Sequence, residues 1–327
     1  MRVLVTGSTG HLGEALMRLL PIRGHEPVGL DLTTSPFTKH VGSITDRHLV
    51  RRALSGVEAI LHTATLHKPH LATHTKQAFI ETNITGTLVL LEEAARAGLR
   101  RFVFTSTTSA FGRALNPAAA APAAWIDETV PSVPKNIYGV TKTAAEDLCA
   151  LFARHHGLNA IVLRTSRFFL EEDDDKAMRD GYGDRNAKAN EFLFRRIDLE
   201  DAALAHECAM LRATDIGFAK YVISAPSPFS RNDRQRLRQD PAAVVATCHA
   251  EFEPIYRKAG FRMFDDIDRI YISDAARTDL GWEPAHDFGS ILCQIDRDQP
   301  LGSDLARAVG KKGYHATTFA EGPYPVE

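Results

Sequence analysis

Three glycines, Gly7, Gly10 and Gly13, stand between an apolar run at residues 3–6 and a helix-like stretch at residues 14–20, in MRVLVTGSTGHLGEAL. Glycine weakens a helix or strand by roughly 0.5–1 kcal/mol relative to alanine, so three of them at one junction imply a close approach to the backbone. A strand-to-helix turn aims N–H groups and the positive end of the helix dipole at an anion. Gly7 permits the turn, Gly10 lets a pyrophosphate touch the backbone, and Gly13 lets helix and strand pack closely. The spacing is G-x-x-G-x-x-G, not the G-x-G-x-x-G of many dinucleotide folds. A tight turn with good packing is the plainer alternative, and the flanking strand and helix weigh against it.

The pattern that follows repeats this alternation. Strand-like runs at 3–6, 26–31, 59–65, 101–106 and 159–165 are separated by helical periodicity at 14–20, 46–54, 83–96 and 138–156. Strands separated by helices of this length form parallel βαβ units. The expected fold class is α/β, a Rossmann-type doubly wound parallel sheet with a smaller C-terminal substrate lobe. Residues 1–165 are expected to form the dinucleotide-binding domain, with 197–226 returning to it through the helix LEDAALAHECAML and the strand YVISAP. Residues 166–196 and 227–327 then make the smaller lobe and tail. The aperiodic, charged segment 170–192 reads as a loop or lid, and its EEDDD run as a solvated surface.

Composition excludes some partners. The chain of 327 residues has 39 Lys+Arg against 41 Asp+Glu, a net charge of -2, without the basic block that drives nucleic-acid binding. Cys149, Cys208, Cys248 and Cys293 are scattered without metal-ligand spacing, as expected of a cytoplasmic protein. No secretory signal or membrane span is expected. The expected partners are a small-molecule substrate and a second copy of the chain.

Asp31 ends the second strand, eighteen residues after Gly13, where an acidic side chain accepts from an adenosine ribose. A carboxylate there repels a 2′-phosphate, and the adjoining DLTTSP supplies no arginine, so NAD is expected over NADP. An ordinary strand-end aspartate is the alternative. Further on, in NIYGVTKTAAEDL, Tyr138 and Lys142 are four apart and share a helix face. Lowering a tyrosine from about 10 to about 7 takes roughly 4 kcal/mol at about 1.36 kcal/mol per unit, much of which a neighbouring ammonium supplies in a low-dielectric pocket.

The ordered motifs TGSTGHLG, HTAT, NITGT, FTSTTSAFG and YGVTK resemble those of the extended short-chain dehydrogenase/reductase family, the NAD-dependent epimerase/dehydratase group. The resemblance covers residues 1–225 and returns in DAARTDLGWEPAHDF. It implies that Tyr138 is the acid/base, that Lys142 binds the nicotinamide ribose and lowers the tyrosine pKa, and that Thr107 orients the substrate oxygen. It assigns Asn83 to the active site, with a helix N-cap as the alternative. Cofactor contacts are implied at Gly7, Gly10, His11, Leu12, Gly13, Asp31, Ser43, Ile44, Ala64, Thr105, Tyr138 and Lys142. Substrate contacts are implied at His67, Thr107, Thr108 and Arg167.

The chain also departs from the family. Gly42-Ser43-Ile44 stands where relatives carry Gly-Asp-Ile or Gly-Asp-Leu beside the adenine. RTSRFFLEEDDDKAM replaces an asparagine-containing, Gly-Pro-rich stretch, and the segment before RRIDLEDAA lacks a clear match to the arginine that clasps a nucleotide diphosphate. His67, His70 and His74 suggest a metal, but Pro69 interrupts the helical spacing and no carboxylate or Cys completes a set. No metal is expected; His67 or Lys68 is expected to face the substrate mouth. The function expected is hydride transfer between NAD and a hydroxyl or keto carbon of a sugar-like or small polar substrate. The alternatives are a UDP-hexose 4-epimerase or dehydratase, and a non-catalytic NAD-sensing protein.

Overall fold

The computed structural model describes residues 1–313, 315 and 319. Strands β1 (Arg2–Thr6), β2 (Glu26–Asp31) and β3 (His40–Val41) enclose helices α1 (His11–Ile22) and, beyond β3, α2 (Arg47–Ala53). After β4 (Ala59–His62) come α3 (Lys76–Phe79), a π-helical turn Ile80–Thr85 and α4 (Gly86–Arg96). Then follow β5 (Arg101–Thr107), β6 (Ala124–Ile126), α5 (Ile137–His156) and β7 (Asn159–Thr165). The next elements are α6 (Lys176–Gly181), α7 (Asp184–Glu191), α8 (Leu199–Ile216) and β8 (Phe218–Ile223). The chain continues with α9 (Pro241–Cys248), α10 (Phe252–Ala259), β9 (Arg269–Tyr271), α11 (Asp274–Leu280), α12 (Phe288–Asp296) and α13 (Asp304–Val309).

The main sheet is parallel throughout, in the order β3-β2-β1-β4-β5-β7-β8. Its order reverses between β1 and β4, which opens a crevice at their carboxyl ends, the position where doubly wound sheets bind ligands. Burial follows the period of two. Val3, Val5, Leu61, Val103 and Ile161 pack toward α1 and α8, whereas Leu4, Ile60, Phe102, Phe104 and Val162 pack toward α2, α4 and α5. Both faces are covered, so the strands read as continuous apolar runs.

A separate core gathers Phe192, Leu193, Phe194, Val244, Phe252, Tyr256, Phe288 and Ile291, beside the parallel pair β6 and β9. Residues late in the chain do not all stay with it: Ala276, Leu280, Trp282, Ala306 and Val309 pack in the cluster of α1 and α8. The expectation that 170–192 is an irregular loop is corrected. Asp175 accepts from Ala177 N at 2.9 Å to start α6, and α7 buries Ala187 and Ala189. Charged residues on their outer faces mask the helical period in the sequence.

Candidate active site

The glycine turn is tight for the reasons its sequence gives. Gly7 has φ +71°, and a Cβ there would meet the Ala64 backbone at 2.8 Å. A Cβ on Gly13 would lie 1.8 Å from the Gly7 carbonyl oxygen. In front of Gly10, by contrast, a Cβ would meet only the Gly7 oxygen, at 3.4 Å. That open face at the start of α1 is the cradle a pyrophosphate requires. Asp31 is aimed across it, with one carboxylate oxygen accepting from Thr9 N at 3.0 Å and the other from Thr33 N at 2.9 Å. The residues fit a dinucleotide.

The implied cofactor residues line this crevice unevenly. Ala64 N donates to the Thr6 hydroxyl at 3.2 Å, holding the end of β4 against the turn. Leu12 is core, and Ile44 is buried against Gly86 at the start of α4. Ser43 turns to the Thr45 hydroxyl at 2.7 Å. Thr105 turns its hydroxyl to His206 on α8, at 2.7 Å. His11 pairs with Glu171, Nε2 to Oε2 at 3.1 Å.

The opposite wall is made by α5. Asn136 caps it by accepting from Gly139 N at 3.1 Å, which sets Tyr138 and Lys142 in the first turns, both buried. The Thr107 side chain lies beside the Tyr138 hydroxyl, and burial pushes the phenol up to about 12 against the opposing effect of that neighbour. Thr108 follows, buried, in a short 3-10 turn. Burial lowers Lys142 to about 7, against the pull of Glu146. Its ammonium lies 4.0 Å from the Phe104 ring centroid.

Asn83 sits inside the π-helical turn rather than at a helix N-cap. Its Oδ1 accepts from Leu66 N at 2.9 Å and from Thr65 Oγ1 at 3.0 Å; its Nδ2 donates to Leu66 O at 2.9 Å and Thr141 Oγ1 at 3.0 Å. One side chain thereby ties the outlet of β4 to α5, and π-turns of this kind recur at functional sites.

Glu146, which the sequence reading passed over, continues the face of Tyr138 and Lys142. Burial opposes its charge, yet Arg164 (3.0 and 2.7 Å), Lys220 (3.0 Å) and the Ser106 hydroxyl (2.6 Å) hold it below the usual carboxylate range. The signal was available: Tyr138, Lys142 and Glu146 repeat every four residues amid Ala145 and Cys149. Arg164 forms a buried ion pair with Glu146.

The solvated-face reading of the acidic run is also corrected. Asp173 and Asp174 are buried and paired with Arg167 and Lys68, and Arg167 and Arg195 also meet Glu191. Basic side chains from distant strand ends neutralise the run, a pairing that local composition does not reveal. His67 is half-buried and stacks on Phe169 at 5.5 Å, while His70 contacts both His67 and His74 edge to face. Among the described residues, the group offering three metal-ligand atoms is Asp198, Glu200 and His286. Asp198 is already engaged by Glu200 N and Ser303 N.

This arrangement of a parallel sheet, a glycine cradle, a strand-end acid and a Thr-Tyr-Lys set defines a short-chain dehydrogenase/reductase of the extended type. Residues 3–190 match the family model of the NAD dependent epimerase/dehydratase family, and the chain belongs to that family. It is 33% identical over 326 residues to a UDP-glucose 4-epimerase of Rhizobium leguminosarum bv. trifolii, covering 89% of this chain and 94% of that protein. It is 36% identical over 154 residues to sterol demethylase protein B of Methylococcus capsulatus, of which it spans 45% of the length, with 45% of this chain covered. The fold is similar to that of a short-chain dehydrogenase/reductase superfamily protein from Agrobacterium tumefaciens solved with bound NAD. That likeness has a TM-score of 0.64 at 20% identity, over 94% of this chain and 97% of that one.

Proposed function

We propose that this protein is an NAD-dependent oxidoreductase acting on a hydroxyl or keto carbon of a sugar-like or small polar substrate. The observation that carries the reading is the closeness of the Thr107 and Tyr138 side chains at the outlet of β5, with Lys142 one turn on. Thr107 and Tyr138 hold the substrate oxygen between them, and Tyr138, as phenolate, takes its proton and becomes the neutral phenol. Lys142, charged, stabilises the phenolate before that transfer, and Asn83 keeps the β4 outlet and α5 in register. The Gly7–Gly13 cradle and Asp31 are the groups that hold NAD, which when bound supplies the hydride acceptor. Residues 1–165 with 197–226 form the cofactor-binding part in this reading, and the rest shapes the substrate side.

The reading includes a cytoplasmic homodimer. Four free cysteines support the compartment, and among the described residues no helix is long and apolar enough to cross a membrane. Exposed Ile80, Val140 and Leu151, on the π-turn and α5, support the self-association; sedimentation at micromolar concentration tests it.

A UDP-hexose 4-epimerase is the second reading, favoured by the near full-length similarity to the Rhizobium enzyme. Purified protein with NAD, offered hexoses, hexuronates and UDP-hexoses in turn, distinguishes the two. The proposed function expects NADH to accumulate with a small sugar or sugar acid. Interconversion of UDP-hexoses without net NADH would replace it with the second reading, and turnover of none of them with a sensor.

A further inference from the structure

Four acids of the run 171–175 have different attachments, and of these Asp173 and Asp174 are buried. Glu171 pairs with His11 and accepts from Lys312 N at 2.8 Å. Asp173 accepts from Asp175 N at 2.8 Å and pairs with Arg167. Asp175 caps α6. Asp174 differs, because both of its oxygens are held by cations from the segments after β4 and β7: Oδ2 by Lys68 Nζ, and Oδ1 by Arg167 Nη2 at 2.5 Å. It is 5% exposed, and Arg167 and Lys68 hold its carboxyl well below the usual range despite burial.

The two cations come from opposite sides of one strand. Lys68 lies on the connection leaving β4, and Arg167 lies two residues past β7. β4 and β7 are the two neighbours of β5, which ends in Thr107, directly paired in register with Thr165. The Lys68–Asp174–Arg167 bridge therefore spans the outlet of β5, where Thr107 and Tyr138 meet.

Charge is uneven in this cluster. Lys68, Arg167, Arg195 and Arg196 meet three carboxylates, Asp173, Asp174 and Glu191. If Asp174 swings out, Arg167 keeps Asp173 and Glu191, whereas the recorded ion pair of Lys68 among the described residues is with Asp174. A low-dielectric site left with that excess favours another anion, and the pair already grips a planar two-oxygen group.

We propose that Lys68 and Arg167 form a carboxylate-recognition subsite beside the Thr107–Tyr138 pair, for which Asp174 competes as an internal ligand, so that the substrate is a sugar acid. This rests on the proposed oxidoreductase reading and narrows its substrate class. Docking of the substrate carboxylate on Lys68 and Arg167 displaces Asp174, and the selectivity against the parent sugar arises there.

Titration calorimetry with NAD present tests it, using D-glucuronate, D-galacturonate, D-glucose and D-galactose as probes. Wild type should bind at least one uronate at least tenfold tighter than its hexose. Asp174→Asn should bind that uronate about tenfold tighter again, and Asp174→Ser should do the same; circular dichroism checks that each is folded. Lys68→Met and Arg167→Met should each weaken uronate binding at least tenfold. Uronates that bind no tighter than hexoses to wild type, absence of binding included, overturn the inference. So does weaker uronate binding by both folded Asp174 variants. Tyr138→Phe separates the two readings, since it should lose turnover and keep the preference for the uronate over its hexose. NADH formation from neutral sugars without acid preference defeats this inference alone.

Discussion

Tyr138 and Lys142 lie one turn apart on the buried face of α5, and burial drives both toward their neutral forms, the phenol up to about 12 and the amine down to about 7. The reactive arrangement needs the reverse, a phenolate beside an ammonium. Moving the tyrosine from about 12 to about 7 takes roughly 7 kcal/mol at about 1.36 kcal/mol per unit, so the nearby charges have to supply most of it. Glu146, held ionised by Arg164 and Lys220, favours the charged lysine.

Holding Lys142 there reduces stability in a defined pH window. Its folded pKa, about 7, is below the ordinary value of 10.5, so between those values the unfolded chain binds more protons and stability rises with pH. The penalty is complete below about pH 7 and gone above about pH 10.5. Lys142→Met should therefore raise the melting temperature, with a gain of a few kcal/mol near pH 6 that shrinks toward pH 10. Thermal melts across that range check it; a gain independent of pH would refute the burial argument.

Removing the Tyr138 hydroxyl isolates its chemical role. Tyr138→Phe keeps the ring packing, and kcat should fall by about 10²–10⁴, the usual effect of losing a general acid/base, with NAD affinity nearly unchanged. Thr107→Ser keeps the hydroxyl beside Tyr138 and should retain much of the activity, whereas Thr107→Val should not. Steady-state kinetics with calorimetry for NAD measure both quantities.

Asp31 should decide between the nicotinamide cofactors. Its carboxylate is fixed by Thr9 N and Thr33 N, at the position where a 2′-phosphate would be repelled. NAD should bind at least tenfold tighter than NADP, a difference of about 1.4 kcal/mol, and Asp31→Asn should narrow that ratio. Equal affinities in wild type would remove Asp31 from its assigned role.

The sheet, the glycine cradle and the Tyr138–Lys142 face were legible because each is written locally, in apolar runs separated by helical stretches, a glycine spacing or a period of four. The Lys68–Asp174–Arg167 bridge was not. Its partners are 106 and 7 residues apart, and composition alone made 171–175 a solvated run. Asn83 falls between these cases: its motif marked it, but the π-turn that sets its side chain depends on packing between α4 and α5, and no local pattern announces it.

That π-turn gives the Asn83 side chain four partners at once, the Leu66 N–H and C=O and the hydroxyls of Thr65 and Thr141. Asn83→Leu nearly conserves volume but leaves the Leu66 N–H and C=O without that partner, and a buried polar group left unsatisfied costs about 1–3 kcal/mol. Urea unfolding should show a loss of roughly 2–4 kcal/mol, with the Leu66 amide exchanging faster with solvent. Asn83→Asp still accepts from Leu66 N and Thr65 but faces the Leu66 carbonyl with a charged oxygen where Asn83 donated. It should therefore be destabilised at pH 7 and partly recover at pH 4, as the carboxyl becomes protonated and can donate. An Asn83→Asp protein as stable as wild type at both pH values would show that this side chain does not join the β4 outlet to α5.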